Sequence, residues 1–242
     1  MAKAQKKVVI LLVEGDTDEL LLIERLRQLF KDKEIRFEPQ HGDIFYQRER
    51  KEQAIKEVIG EKVKEILMKR KFKPSNVLAV LHILDTDGCF IAPEHITVDA
   101  EQSVLTQYNA DCITVNSEEQ KVRIEERNEI RSRNVHTMSK ATHIAQYAYQ
   151  AYYFSRHLEH VVFNEMNPCK EDKFEKIENF LETLEMPIEN FLAQYMPIEQ
   201  QDEYSMAHEK SWEFIAENMN SLKQYTNASL MFQFLENDSK HI

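Results

Sequence analysis

Val77-Leu78-Ala79-Val80-Leu81-His82-Ile83-Leu84 runs straight into Asp85-Thr86-Asp87-Gly88, and the reading of this stretch decides the fold. A short, near-continuous apolar run that stops abruptly is the pattern of a strand covered on both faces in a parallel sheet. The same pattern occurs upstream, where Val8-Val9-Ile10-Leu11-Leu12-Val13 delivers Glu14-Gly15, followed by Asp16, Asp18 and Glu19. Ligands of open α/β sheets collect beyond the carboxyl ends of such strands. Both ends here carry acids, which points to a divalent-cation site as well as to a sheet.

Around these two runs the chain alternates. Asp16 and Thr17 stand where a helix N-cap belongs, and Leu22, Ile23, Leu26, Leu29 and Phe30 follow at helical spacing. Ile35-Arg36-Phe37 reads as a short strand leading into His41-Gly42-Asp43. Ile55, Val58, Ile59, Val63, Ile66 and Leu67 mark one face of a second helix, which Pro74-Ser75-Asn76 breaks. Cys112-Ile113-Thr114-Val115 is a further strand candidate. This order is that of an α/β sheet with mainly parallel strands. Beyond Ser117 the periodicity is mainly helical, over 144–163, 174–184 and 212–222. The expected organisation is therefore an α/β catalytic domain over 1–118 and a helical C-terminal domain over 119–242.

Charge and cysteine usage narrow the class. The 242 residues suffice for a sizeable core, and the net charge of −11 is unevenly spread. Residues 171–242 carry 15 acids against 5 bases, which leaves 27 against 26 in residues 1–170. A polyanionic substrate is thus compatible with the N-terminal part and disfavoured at the C-terminal surface. Cys89, Cys112 and Cys169 show no metal-binding spacing and fit reduced thiols. The apolar run after the basic Met1–Lys7 stretch is too short for a signal-peptide core or a membrane span, so a cytoplasmic protein is expected. The four glycines are Gly15, Gly42, Gly60 and Gly88. Such scarcity suggests that they stand where φ > 0 or close backbone approach is needed, with mid-helix Gly60 lacking a local reason.

Carboxylates crowded at adjacent strand ends raise one another's pKa unless a counter-charge is present. Mg²⁺ or Mn²⁺ supplies that charge through oxygen ligands and suits phosphoryl chemistry. Asp85 and Asp87, two apart, would share a face in a strand and reach one ion. Taken singly, Asp87-Gly88 could equally be an ordinary turn.

Val13-Glu14-Gly15-x-x-Asp18 and Leu84-Asp85-Thr86-Asp87-Gly88 together resemble the two signature motifs of the Toprim domain, over roughly residues 8–116. That domain occurs in topoisomerases, bacterial primases and the overcoming-lysogenization-defect (OLD) nucleases of phage defence. The resemblance implies a Rossmann-like sheet, Glu14 as ligand or acid/base, and Asp85 and Asp87 as metal ligands. It implies Asp18 as a further ligand, and Gly42 falls where that fold turns out of its second strand. The OLD-like branch fits best, because the chain lacks a zinc-binding segment and the rest of the topoisomerase or primase machinery. It also lacks GxxxxGK[ST], so an ATPase or sensor would have to come from a partner. Acids for a second metal come from a later segment in that branch. Here Ser117-Glu118-Glu119 and the Ser155-to-Glu159 stretch compete, with Glu159 the preferred ligand.

Lys121, Arg123, Arg127, Arg131, Arg133 and Lys140 outnumber the nearby Glu125, Glu126 and Glu129, which makes this segment the expected nucleic-acid contact. A solvated helix with Glu–Arg pairs would look the same. Tyr204, Trp212, Phe214 and Tyr225 read as helical core. The leading expectation is a divalent-metal-dependent nuclease acting on DNA or RNA in a defence or repair system, with Glu14, Asp85 and Asp87 catalytic. Two alternatives remain. One is a haloacid-dehalogenase-like phosphatase, resembled by Asp85-Thr86-Asp87-Gly88, with Asp85 as nucleophile. The other is a non-catalytic docking subunit of an ATPase complex, using the acidic helical region.

Overall fold

The computed structural model describes residues 7–31, 33–39, 43–168, 173–199 and 203–239. In chain order its first elements are β1 (Lys7–Val13), α1 (Asp16–Leu29), β2 (Lys33–Pro39), α2 (Ile55–Arg70) and β3 (Val77–Asp85). There follow β4 (Ile96–Val98), β5 (Thr106–Tyr108), β6 (Ile113–Val115), α3 (Glu118–Ser139), β7 (His143–Ile144) and β8 (Tyr147–Phe154). The remainder is helical: α4 (Leu158–Phe163), α5 (Lys173–Thr183), α6 (Ile188–Ala193), α7 (Tyr204–Ala216) and α8 (Ser229–Ser239).

The fold is α/β. Five strands form a sheet in the order β2-β1-β3-β8-β7, parallel except for the short β7–β8 pair. The apolar runs of β1 and β3 lie at its centre, and alternate side chains serve opposite faces. Val9, Leu11, Val13, Leu81 and Ile83 pack with α1, α4, α5, α6 and α8 on one side. Val8, Ile10, Leu12, Val80 and Leu84 pack with α2, α3 and α7 on the other. A strand needing apolar residues on both faces cannot alternate with polar ones, which is why these runs are unbroken.

Two expectations need correction. The stretch around Ile144–Phe163 is not one helix, because Tyr147–Phe154 is a strand paired in parallel with β3. Tyrosines at 147, 149, 152 and 153 suit a pleated surface, and with both faces covered they show no polar alternation. Ile113–Val115, expected as a further strand of the same α/β order, instead forms a separate sheet of order β4-β6-β5 whose Ile96, Ile113 and Val115 pack with Ile124. The main sheet thus draws on residues on both sides of position 118.

The helical region protects the outer edge of β8, where an unpaired strand would invite aggregation. His208 Nε2 and Trp212 Nε1 both reach the Ala151 carbonyl, at 2.7 and 3.2 Å. The Asn227 side chain accepts from the Tyr153 N–H, and Thr226 donates to the Tyr153 carbonyl. Trp212 is core, as expected. Among the described residues no helix is long and apolar enough to cross a membrane.

Candidate metal and nucleic-acid site

The site forms where β1, β3 and β8 end side by side. Beyond β3 the backbone turns through Asp87 and Gly88, at φ 48° and 62°, and the Cys89 N–H returns to the Thr86 carbonyl at 2.9 Å. Two consecutive left-handed residues inside such a four-residue turn favour Asp-Gly. Gly88 is needed here, since a Cβ would lie 2.9 Å from Leu222 Cδ2. Gly15 is not such a case. Its φ is −137°, and a Cβ would meet only ordinary contacts at 3.7 and 3.8 Å. Gly60 likewise meets ordinary space, and Gly42 and Cys169 lie outside the described residues.

The β3 and β8 ends are tied together past the last ladder residues. The Thr86 N–H donates to the Phe154 carbonyl at 3.0 Å, and the Asp87 N–H to the Arg156 carbonyl at 2.9 Å. Thr86, fully buried, accepts the Arg156 N–H on Oγ1 at 2.7 Å. Asp87 therefore reaches the site from a turn, not by strand alternation with Asp85.

Glu14 ends β1 and is the hub of the acids. Its Oε1 accepts from the Asp85 N–H at 3.2 Å and from Arg131 Nη2 at 2.9 Å. Its Oε2 takes no hydrogen bond among the described residues. Loss of water and the nearby Asp87 and Asp43 charges outweigh Arg131 and push the Glu14 carboxyl up to about 8. Asp18, buried, accepts the Gly15 N–H at 2.9 Å and so caps α1, whose N-cap is Gly15 in place of the expected Asp16 or Thr17. Burial, with a contribution from Glu159, raises its carboxyl to about 7. The Asp85 carboxylate takes no hydrogen bond or ion pair among the described residues. Desolvation first, and then the charges of Glu14, Asp18, Asp87 and Glu159, raise it well above the carboxylate range. A half-buried carboxylate facing four other acids calls for a cation.

Arg131 supplies positive charge to part of this cluster. Its side chain has no exposed surface, and it pairs with Glu14, with Asp43 and, at 3.4 Å, with Asp87 Oδ2. It meets Asp85 only through the backbone carbonyl. With this guanidinium among them, no group of three or more His, Cys, Asp or Glu among the described residues is arranged to hold an ion as it stands. The donor chemistry still fits a hard divalent cation, because Asp85 is uncompensated and Glu14 keeps an uncommitted oxygen.

The later acids separate cleanly. Ser117 caps α3 by accepting the Gln120 N–H, while Glu118 and Glu119 are exposed and Glu119 pairs with Arg123. Glu159, on α4, is buried close enough to act electrostatically on both Asp18 and Asp85. It already holds Lys173 Nζ at 2.6 Å and lies 3.1 Å from His157 Nδ1. Burial pushes it up, but these partners prevail and bring it down to about 2. As the structure stands Glu159 is a paired anion beside the cluster.

The candidate nucleic-acid residues of α3 do not form one surface. Arg131 is a buried strut. Arg127 is turned inward, donating to the Tyr108 hydroxyl at 3.1 Å and the Asp87 carbonyl at 2.8 Å. Ile124, Arg127, Asn128, Arg131, Val135 and Met138 share the inner side of α3, so the helix turns two of the cations expected at its surface inward, burying Arg131 fully and Arg127 in part. Lys121 and Arg123 pair with Glu125 and Glu119 one turn away, at 4.0 and 2.7 Å, and Arg133 is exposed. Asp43 and Thr86 were missed as site residues. Nothing short of the fold brings Asp43 to Arg131, and a threonine between two aspartates reads as turn filler. Comparison with protein-family models, curated proteins and solved structures finds no match to this chain.

Proposed function

We propose that this chain is a divalent-metal-dependent nuclease, hydrolysing phosphodiester bonds of DNA or RNA. The observation that carries it is the bare Asp85 carboxylate at the end of a central strand, surrounded by acids and without a cation of its own. Mg²⁺ or Mn²⁺ would be held by Glu14, Asp85 and Asp87 with Asp18, and would supply Lewis-acid stabilisation of the charge developing on phosphorus oxygens. Glu14 is positioned for proton transfer by the Asp85 amide and by Arg131, and its raised pKa suits a group that exchanges a proton near neutrality. Arg127 and Arg131 position the Asp85–Gly88 turn through its carbonyls. The resemblance adds a defence or repair setting, an ATPase or sensor on a partner chain, and a cytoplasmic location, with which the free Cys89 and Cys112 agree.

A second reading has its own observation. Arg131 already neutralises Glu14, Asp43 and Asp87 in part, which would suit a structural charge cluster in a docking subunit. The deciding measurement is cleavage of supercoiled DNA, linear DNA, tRNA and single-stranded RNA with Mg²⁺ or Mn²⁺. Wild type should cleave one class, and Asp85→Asn/Asp87→Asn should lower the rate by at least about a thousandfold. Cleavage that survives this double substitution would remove the nuclease reading. Stable assembly with a partner, unaffected by it, would support the docking one.

A further inference from the structure

Arg156 lies directly beyond β8, opposite the Asp85–Gly88 turn, and none of its surface is exposed. Its Nε, Nη1 and Nη2 have no hydrogen-bond partner among the described residues. A buried guanidinium without an anion is among the costliest groups a fold can hold, and its charge normally finds a carboxylate or phosphate. The Tyr108 ring lies over it, its centroid 4.6 Å from the guanidinium carbon. The Arg156 backbone is also left-handed, at φ 59°, a conformation that glycine would adopt without strain. Glycine would relieve the strain and the buried charge together, yet the chain carries arginine.

A second orphan stands beside it. His160, 1% exposed, has an Nδ1 without a hydrogen-bond partner among the described residues and lies within electrostatic reach of Arg156. Arg156 is the donor of the two, because burial and the Arg156 charge bring His160 down to about 4, leaving a neutral ring whose one N–H is drawn to the Ser155 backbone. Asp87 is near enough for its charge to act on Arg156. The cover over Arg156 is slight. Tyr108 is only partly buried, on the short strand β5, and its backbone is held by two hydrogen bonds with the Asn167 side chain at 2.9 Å. Its hydroxyl accepts from Arg127.

We propose that Arg156 forms an oxyanion pocket beside the acid cluster, its guanidinium taking one phosphate group of a nucleic-acid strand when the Tyr108 ring moves aside. The choice of a nucleic-acid phosphate rests on the nuclease reading; the pocket's preference for an oxyanion does not. A guanidinium whose three nitrogens find no partner among the described residues is satisfied by one tetrahedral anion, and hydrogen bonds to charged groups are the strong ones.

Thermal unfolding of the full chain tests this without metal and at constant ionic strength, titrating inorganic phosphate. Phosphate should raise the Tm of wild type, and should act on Tyr108→Ala at roughly tenfold lower concentration. Arg156→Met replaces the unpaired charge with an apolar chain, so without phosphate it should melt roughly 4 °C higher and no longer respond to phosphate. A lower Tm for Arg156→Met, or a phosphate response that it retains, overturns the pocket. So does the absence of any response in both wild type and Tyr108→Ala. Replacing phosphate by a short single-stranded oligonucleotide separates the sources. An Arg156-dependent response to the oligonucleotide supports the assignment, and a response to phosphate alone overturns the nucleic-acid part. Cleavage enters none of these readouts, so failure of the nuclease reading and failure of the pocket remain distinguishable.

Discussion

Two buried arginines flank the strand ends, and the fold uses them in opposite ways. Arg131, from α3, meets the carboxylates of Glu14, Asp43 and Asp87. Arg156, following β8, meets an aromatic face and makes no ion pair among the described residues, though the Asp87 charge reaches it. One arginine therefore has its charge met by carboxylates within the fold, and the other does not. A charge paired within the fold contributes to stability through its partners, whereas an unpaired one is tolerated at a cost that a ligand can offset.

That contrast sets the largest expected effect. Arg131→Met leaves three crowded carboxylates without their cation and should lose about 3–5 kcal/mol in urea unfolding with chelator present. Mg²⁺ or Mn²⁺ should restore part of the loss if the acids bind metal. Arg156→Met is expected to move stability the other way, so shifts of the same sign in both variants would break the contrast.

Gly88 stands between the two arginines, because the turn it completes presents Asp87 to Arg131 and the Asp87 N–H to the Arg156 carbonyl. Gly88→Ala forces a side chain onto a left-handed backbone and into Leu222, and should cost about 1–3 kcal/mol. Gly15→Ala, at an extended position with room for a Cβ, should change stability by less than about 1 kcal/mol. Equal losses in the two variants, measured by the same unfolding, would show that the turn does not need its glycine.

The smallest effects are in pH. Glu14 and Asp18, raised to about 8 and about 7, must lose protons to hold a metal. Mn²⁺ affinity should therefore rise with pH through that range, by up to roughly tenfold per unit for each proton released. Calorimetry in buffers of different ionisation enthalpy counts those protons, and Glu14→Gln should reduce the count. The stability sign follows from the same shift. A carboxyl whose pKa is raised on folding favours the fold at low pH, and that contribution is lost as pH rises from the ordinary range near 4.5 through about 8. Wild type measured against Glu14→Gln isolates it from the histidines, whose lowered values act in the opposite direction.

Much of the scaffold was legible because local signals and global position agree in it. The β1 and β3 runs are apolar throughout since they are central, and the acids follow because a parallel sheet gathers its functional groups at the carboxyl ends. Strand β8 was hidden by its own burial, with tyrosines where alternation would have marked an edge. Helix α3 misled for a related reason. Arg127 and Arg131 are one turn apart in a charged segment, and no local rule says that this side faces inward.

The sequence by itself determined the class of the sheet, the order of its first strands and the two acidic strand ends, because these rest on short-range pattern and on residue chemistry. Tertiary structure alone decided which charges are paired. Asp43 and Glu14 reach Arg131 from distant parts of the chain, while Arg156 lies against Tyr108 with no ion pair among the described residues. Pairing of charges is set by distance and by the exclusion of water, and neither is written in the spacing of residues along the chain.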